Sequence, residues 1–217
     1  MPGQAPPHAD ETELLLAFIT QQRDGIKNAA FGLTDDQARL TPTAGALSVG
    51  GLVVHVTAME QSWVDMILQR DGAGGAGDGG AEDDYEAGFR LAPDRTLAEA
   101  IAAFDAVAAE TEAVVRGLPL DHPVPVPQGV PWFPDDVEAW SVRWVLLHLI
   151  EEIGRHAGHA DIVRESIDGA TMYELMAGAE GWPATDWMQP WTVGDTAAGD
   201  TSADDTSSQN VASGVTS

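Results

Sequence analysis

The 217-residue chain contains no cysteine. That excludes disulfides, thiolate metal ligands and a protein thiol nucleophile, so any sulfur chemistry must use a small-molecule thiol. Lysine is nearly absent as well. Lys27 stands alone, and 10 basic residues face 35 acidic ones, for a net charge of −25. Such a surface repels phosphate backbones and argues against nucleic-acid binding. It suits general solubility, a salt-adapted cytoplasm or an acidic partner-binding face. No apolar run approaches the length of a membrane span, and the start MPGQAPPHADE lacks the basic and apolar regions of a signal peptide. The expectation is a cytoplasmic protein with no membrane partner.

The chain is rich in helical periodicity. Asp10 and Glu13 form a cap for a helix that carries Leu14, Leu15, Phe18, Ile19 and Ile26 and runs to about Asn28. A turn with its own cap follows at Gly32–Gln37. Ser48 caps a second helix from about Val49 to Arg70, with Leu52, Val56, Met59, Trp63 and Met66 on its apolar stripe and His55 on or beside it. The Gly/Asp segment 71–84 has no means of packing. Thr96 opens a third helix that ends near Gly117. The proline-rich stretch 120–134 reads as an ordered loop anchored by Trp132 and Phe133, because proline suits neither helix nor central strand.

A fourth helix is expected over 138–168, with Gly169 as its stop. Residues 170–191 are aromatic enough to form a strap packed on the helices, whereas 192–217 are acidic and polar and should be disordered. The fold class is therefore all-α, a four-helix bundle over residues 11–191 with a flexible start at 1–10.

The fourth helix carries the chemistry. Side chains three and four apart share a helix face, so His148, Glu152 and His156 form a ladder with His159 one turn beyond. A metal site that supports catalysis generally needs three protein ligands and an open position. One helix supplies two ligands comfortably at i and i+4, so the third should come from elsewhere. His55 is the other histidine within an expected helix. Each residue also has a plain structural reading. His55 could be a satisfied core histidine, Glu152 could pair with Arg155 in solvent, and His148 could pack near Trp144. Together they are harder to explain that way, since burying a carboxylate is costly unless a positive charge compensates it.

The pattern Gly51-Leu-Val-Val-His55 through Met59-Glu60 to Trp63 is joined, later in the chain, by Arg143-Trp-Val-Leu-Leu-His148, Glu152, Arg155-His156-Ala-Gly-His159 and Asp161. In that order these segments resemble the DinB superfamily. The closing Arg164–Met176 segment and Trp182-Pro183 are similar to its mycothiol-transferase-like branch. The resemblance covers roughly 11–191 and implies an up-down-down-up bundle holding a divalent metal. The implied ligands are His55, Glu152 and His156. Many relatives have histidine at the position of Glu152, whereas the thiol-dependent isomerase relatives have glutamate there, as this sequence does. His159 stands where many members have glutamine, which leaves it as a supporting residue or an alternative ligand.

The resemblance further implies a metal-dependent S-transferase that activates a mycothiol-like thiol for conjugation to electrophiles. In it His148 or His159 orients ligands or moves a proton, and Arg155 or Arg143 holds a carboxylate of the thiol or substrate. Trp63 is grouped with Arg143 on the thiol side. Zinc is the default metal, with nickel, iron and manganese also compatible with two histidines and a carboxylate. Two readings compete with it: a thiol-dependent isomerase of a small unsaturated acid, and a non-catalytic metal-binding stress protein. An exposed bundle face leaves room for a homodimer.

Overall fold

The computed structural model describes residues 3–71, 73, 88–131 and 133–193. Trp132, the tail from 194 onward and nearly all of the Gly/Asp segment lie outside the described residues. Among those described there are six helices and one two-stranded sheet. The helices are α1 (Glu11–Ala30), α2 (Asp35–Ala38), α3 (Val49–Ile67), α4 (Leu97–Arg116), α5 (Val142–Asp168) and α6 (Met172–Glu180). The strands β1 (Pro123–Pro125) and β2 (Ala139–Ser141) lie between α4 and α5.

The four long helices begin where side chains can satisfy orphan N–H groups. Asp10 accepts from the Glu13 N–H at 3.0 Å, and Ser48 accepts from the Gly51 N–H at 3.1 Å. Thr96 and Glu99 form a reciprocal capping box. Ser141 accepts from the Trp144 N–H at 3.2 Å. The N–H groups of Val142 and Arg143 donate to the carbonyls of His122 and Leu120, so the start of α5 is pinned to the preceding loop. Gly169 adopts φ 76° and ends α5 in a left-handed cap, as its sequence position predicted.

All four long helices contribute to one continuous apolar cluster. It includes Ile19 and Ile26 of α1, Leu52 and Val56 of α3, Phe104 of α4, and Leu149 and Ile153 of α5. The most extensive pairings are α1 with α5 and α3 with α4, and α3 also meets α5. That last contact brings the two histidine-bearing helices together.

Three features differ from the sequence-based expectation. The first is the sheet, which an all-α reading did not contain. Val124 pairs with Trp140 in antiparallel register and is fully buried, while Pro123 and Pro125 flank it. A two-stranded ribbon has free edges, where residues lacking an N–H are tolerated. The second is a consequence of the sheet: β2 takes residues 139–141, so the helix starts at Val142 rather than at 138. The third is α6, a helix within the expected strap. Glu174 accepts from both the N–H and the hydroxyl of Thr171, and this box opens α6.

Ala170, Leu175 and Trp191 form a second buried cluster against Phe31. Arg164, fully buried, ties it down. Its guanidinium pairs with Asp168 at 2.8 Å, donates to the carbonyls of Ala29 and Phe31, and lies 4.8 Å from the centre of the Trp191 ring. Arg164 thus caps the carbonyl end of α1, where a cation is favoured by the helix dipole, and offers its flat face to Trp191.

Candidate functional site

A cavity of about 620 Å³ opens between α3 and α5. From α3 it is lined by His55, Met59, Ser62, Trp63 and Met66, and from α5 by His148, Glu152, Arg155, His156 and His159, with Phe133 from the intervening loop. The one-turn spacing that suggested a ladder therefore places all four of its α5 residues on the wall of one cavity, facing His55 across it.

The contacts within this group are close. The rings of His55 and His156 meet edge-on with centroids 4.7 Å apart. His156 Nε2 is 3.5 Å from Glu152 Oε2, and the His159 ring stands 5.5 Å from that of His156. Burial pushes the His55 imidazole down to about 4, with a smaller contribution from His156. Burial also lowers His156, although Glu152 opposes the shift. Both rings are therefore neutral at physiological pH, the form that has a free lone pair for a ligand.

Two ring nitrogens, His156 Nδ1 and His159 Nδ1, are buried with no hydrogen-bond partner. Buried polar atoms are normally satisfied, and an ion or a water commonly resolves such exceptions. The donor set of two neutral imidazoles and a carboxylate is chemically suited to a divalent cation. Among the described residues, however, no group of three or more His, Asp or Glu side chains is already arranged to hold a metal ion. The residues fit a metal by chemistry and proximity, and side-chain adjustment would be needed to bind one.

His148 occupies a different setting from its neighbours one and two turns on. It stacks on Trp144 at 5.2 Å and 15°, meets Trp63 edge-on at 4.9 Å, and lies 3.6 Å from Glu151. Trp63 is 6% exposed and forms the floor of this aromatic region. Arg155 lines the cavity, whereas Arg143 does not. The Arg143 guanidinium is engaged by Glu11, with Nε to Oε1 at 2.6 Å and Nη2 to Oε2 at 3.1 Å.

Several neighbours were not singled out from the sequence. Phe89 stacks on His55 with centroids 3.8 Å apart and planes 16° from parallel, so one face of that ring is covered by the segment that precedes α4. This approach requires glycine at 51, where a Cβ would collide with the Phe89 carbonyl oxygen. Arg39 holds the same segment by donating to the carbonyls of Leu91, Ala92 and Arg95. Asp161, two residues beyond His159, is pushed up to about 6 by burial and by Glu165, and its Oδ1 has no partner. Gly51 and Asp161 stand in the sequence motif, but the close approach of Phe89 to the one and the burial of the other do not show there.

Glu60, also on α3, is completely buried. It receives both Nε and Nη2 of Arg23 from α1 and the Thr111 hydroxyl of α4 at 2.5 Å. This network joins α1, α3 and α4.

Among known proteins, a family model described as mycothiol-S-transferase matches residues 14–169. No curated protein matches the chain. No described helix is long and apolar enough to cross a membrane.

Proposed function

Since the chain belongs to the mycothiol-S-transferase family, we propose that it conjugates mycothiol to electrophiles at the cavity between α3 and α5. The observation that carries this reading is the convergence of His55, Glu152 and His156 on the wall of one cavity beside Arg155. We assign these three side chains as ligands of a divalent metal, with zinc the default for such a set. When bound, such a cation lowers the pKa of a coordinated thiol as it does that of water.

The chain's own residues provide the rest. Arg155 is the cavity's cationic hydrogen-bond donor and orients the thiol by its polar groups. His148 lies on the wall and accepts the thiol proton. The freed sulfur pair then forms an S–C bond while the electrophile's leaving group departs with its own electron pair, so the products are a thioether, a proton and the leaving anion. His159, beside His156, orients that ring. The four long helices are read as an up-down-down-up bundle that presents these residues on its inner faces.

The test is metal content and mycothiol binding of the purified protein, compared with His55→Ala and His156→Ala. The reading predicts bound divalent metal in the wild type, its loss in both variants, and thiol affinity only in the metal-loaded protein. Unchanged metal content in both variants would sink the ligand assignment. Thiol-dependent isomerisation with no net thiol consumption would reassign the reaction.

A further inference from the structure

A second cleft adjoins the histidine cavity. It measures about 860 Å³ and shares Trp63, Phe133, His148 and Glu152 with the first. Its remaining lining comes from the 134–144 segment, chiefly Val137, Trp140 and Trp144. The rings here are ordered into two directions. Trp140, Trp144 and His148 form a parallel ladder, with centroids 4.9 and 5.2 Å apart and planes 11° and 15° from parallel. Trp63 and Phe133 stand across that ladder, at 56° to Trp144 and 78° to Trp140 respectively. A flat ring placed in the angle meets faces on one side and edges on the other, the two arrangements that aromatic pairs favour.

The placement is not explained by core packing alone. Trp144 is 40% exposed, although it stands at the centre of the ladder. An exposed tryptophan held in a stack by both neighbours presents apolar surface to water at a fixed orientation, as a ligand wall does. The charge around it is also selective. Glu152 and His148 are the titratable groups in the lining, and Asp135, Asp136 and Glu138 are exposed on the same segment. An anionic ligand would be repelled by the exposed carboxylates of Asp135, Asp136 and Glu138.

We propose that this cleft is the acceptor subsite, and that it selects uncharged, planar aromatic electrophiles. The inference rests on the transferase reading for the word electrophile, but recognition of the flat ring stands apart from the chemistry. His148 is the hinge between the two, because it closes the aromatic ladder and also lines the thiol cavity. A ring bound against the ladder therefore holds its reactive carbon at the boundary of the two cavities.

The test uses inert ligands, so that it does not depend on turnover. Binding of 2-naphthol, its saturated decahydro analogue and naphthalene-2-sulfonate is measured by calorimetry on the full-length protein. 2-Naphthol should bind about tenfold more tightly than the saturated analogue, the scale expected of aromatic contacts, and more tightly than the sulfonate. Trp144→Leu, which keeps apolar bulk without an aromatic ring, should lose about tenfold in naphthol affinity. Trp187→Ala, at a tryptophan 78% exposed and outside the cleft, should leave it unchanged. Equal affinity for the flat and saturated ligands, or undiminished binding by a folded Trp144→Leu variant, overturns the subsite. Equal or tighter binding of the sulfonate overturns its charge selectivity. Naphthol binding that depends on Trp144, in a protein that forms no thiol adducts, would retain the subsite and reject the transferase reading instead.

Discussion

Glu60 and His55 sit five residues apart on α3, both turned inward, and solve burial in opposite ways. Glu60 stays satisfied through the Arg23 guanidinium and the Thr111 hydroxyl. Removing one partner of a buried pair strands the other, so Glu60→Ala should cost about 3–5 kcal/mol in denaturant unfolding. The double variant Arg23→Met/Glu60→Leu should recover most of that loss. A loss of under about 1 kcal/mol in Glu60→Ala would mean that the network does not hold the helices together.

His55 instead gives up its proton. Its folded pKa, about 4, lies below the ordinary value of 6.5, so between those values the unfolded chain binds the additional proton. Stability of the metal-free protein should therefore decline as pH falls through that window. Asp161 works in the opposite sense. Raised to about 6 from an ordinary 3.8, it holds a proton in the folded state and favours folding as pH drops. Comparing the wild type with His55→Asn isolates the first effect. Unfolding midpoints measured from pH 7 to 4 should fall less steeply in the variant, and parallel slopes would show that His55 is not buried neutral.

Among the elements, the helices were legible because their signals are local. Asp10, Ser48, Thr96 and Gly169 mark ends through bonds to groups a few residues away, and apolar spacing marks the faces. The ribbon of β1 and β2 was not, because Val124 and Trp140 become partners only when the chain brings them together across a loop. The α6 helix did leave a signal in Thr171 and Glu174, a capping-box pair obscured by the aromatic content around it.

The same distinction separates the parts of the site. The spacing of Glu152 and His156 lies within one helix, whereas the stack of Phe89 on His55 depends on a loop crossing α3 at Gly51. Gly51→Ala tests that crossing. The new Cβ meets backbone rather than a movable side chain, so the segment must shift. The variant should lose about 1–3 kcal/mol in thermal unfolding, and in its crystal structure Phe89 should be displaced from His55. An unperturbed Phe89 would show that glycine is not what permits the contact.

At the scale of the whole molecule, the arrangement joins a polar cavity to an aromatic cleft through shared walls. Cysteine is absent from the entire chain, which leaves an external thiol as the sulfur source. The motif on α5 and the histidine on α3 mark the polar half in the sequence itself. The aromatic half could not be read in that way. Trp63, Phe133, Trp140 and Trp144 belong to a helix, a loop, a strand and another helix, and only packing makes them one surface. The most direct test of the central claim is metal-dependent formation of a mycothiol thioether, followed by mass spectrometry with an aromatic electrophile. The wild type should form the adduct only with divalent metal present, and His156→Ala should form it at least about 100-fold more slowly. Adduct formation at the wild-type rate by His156→Ala, or by metal-stripped wild type, would contradict it.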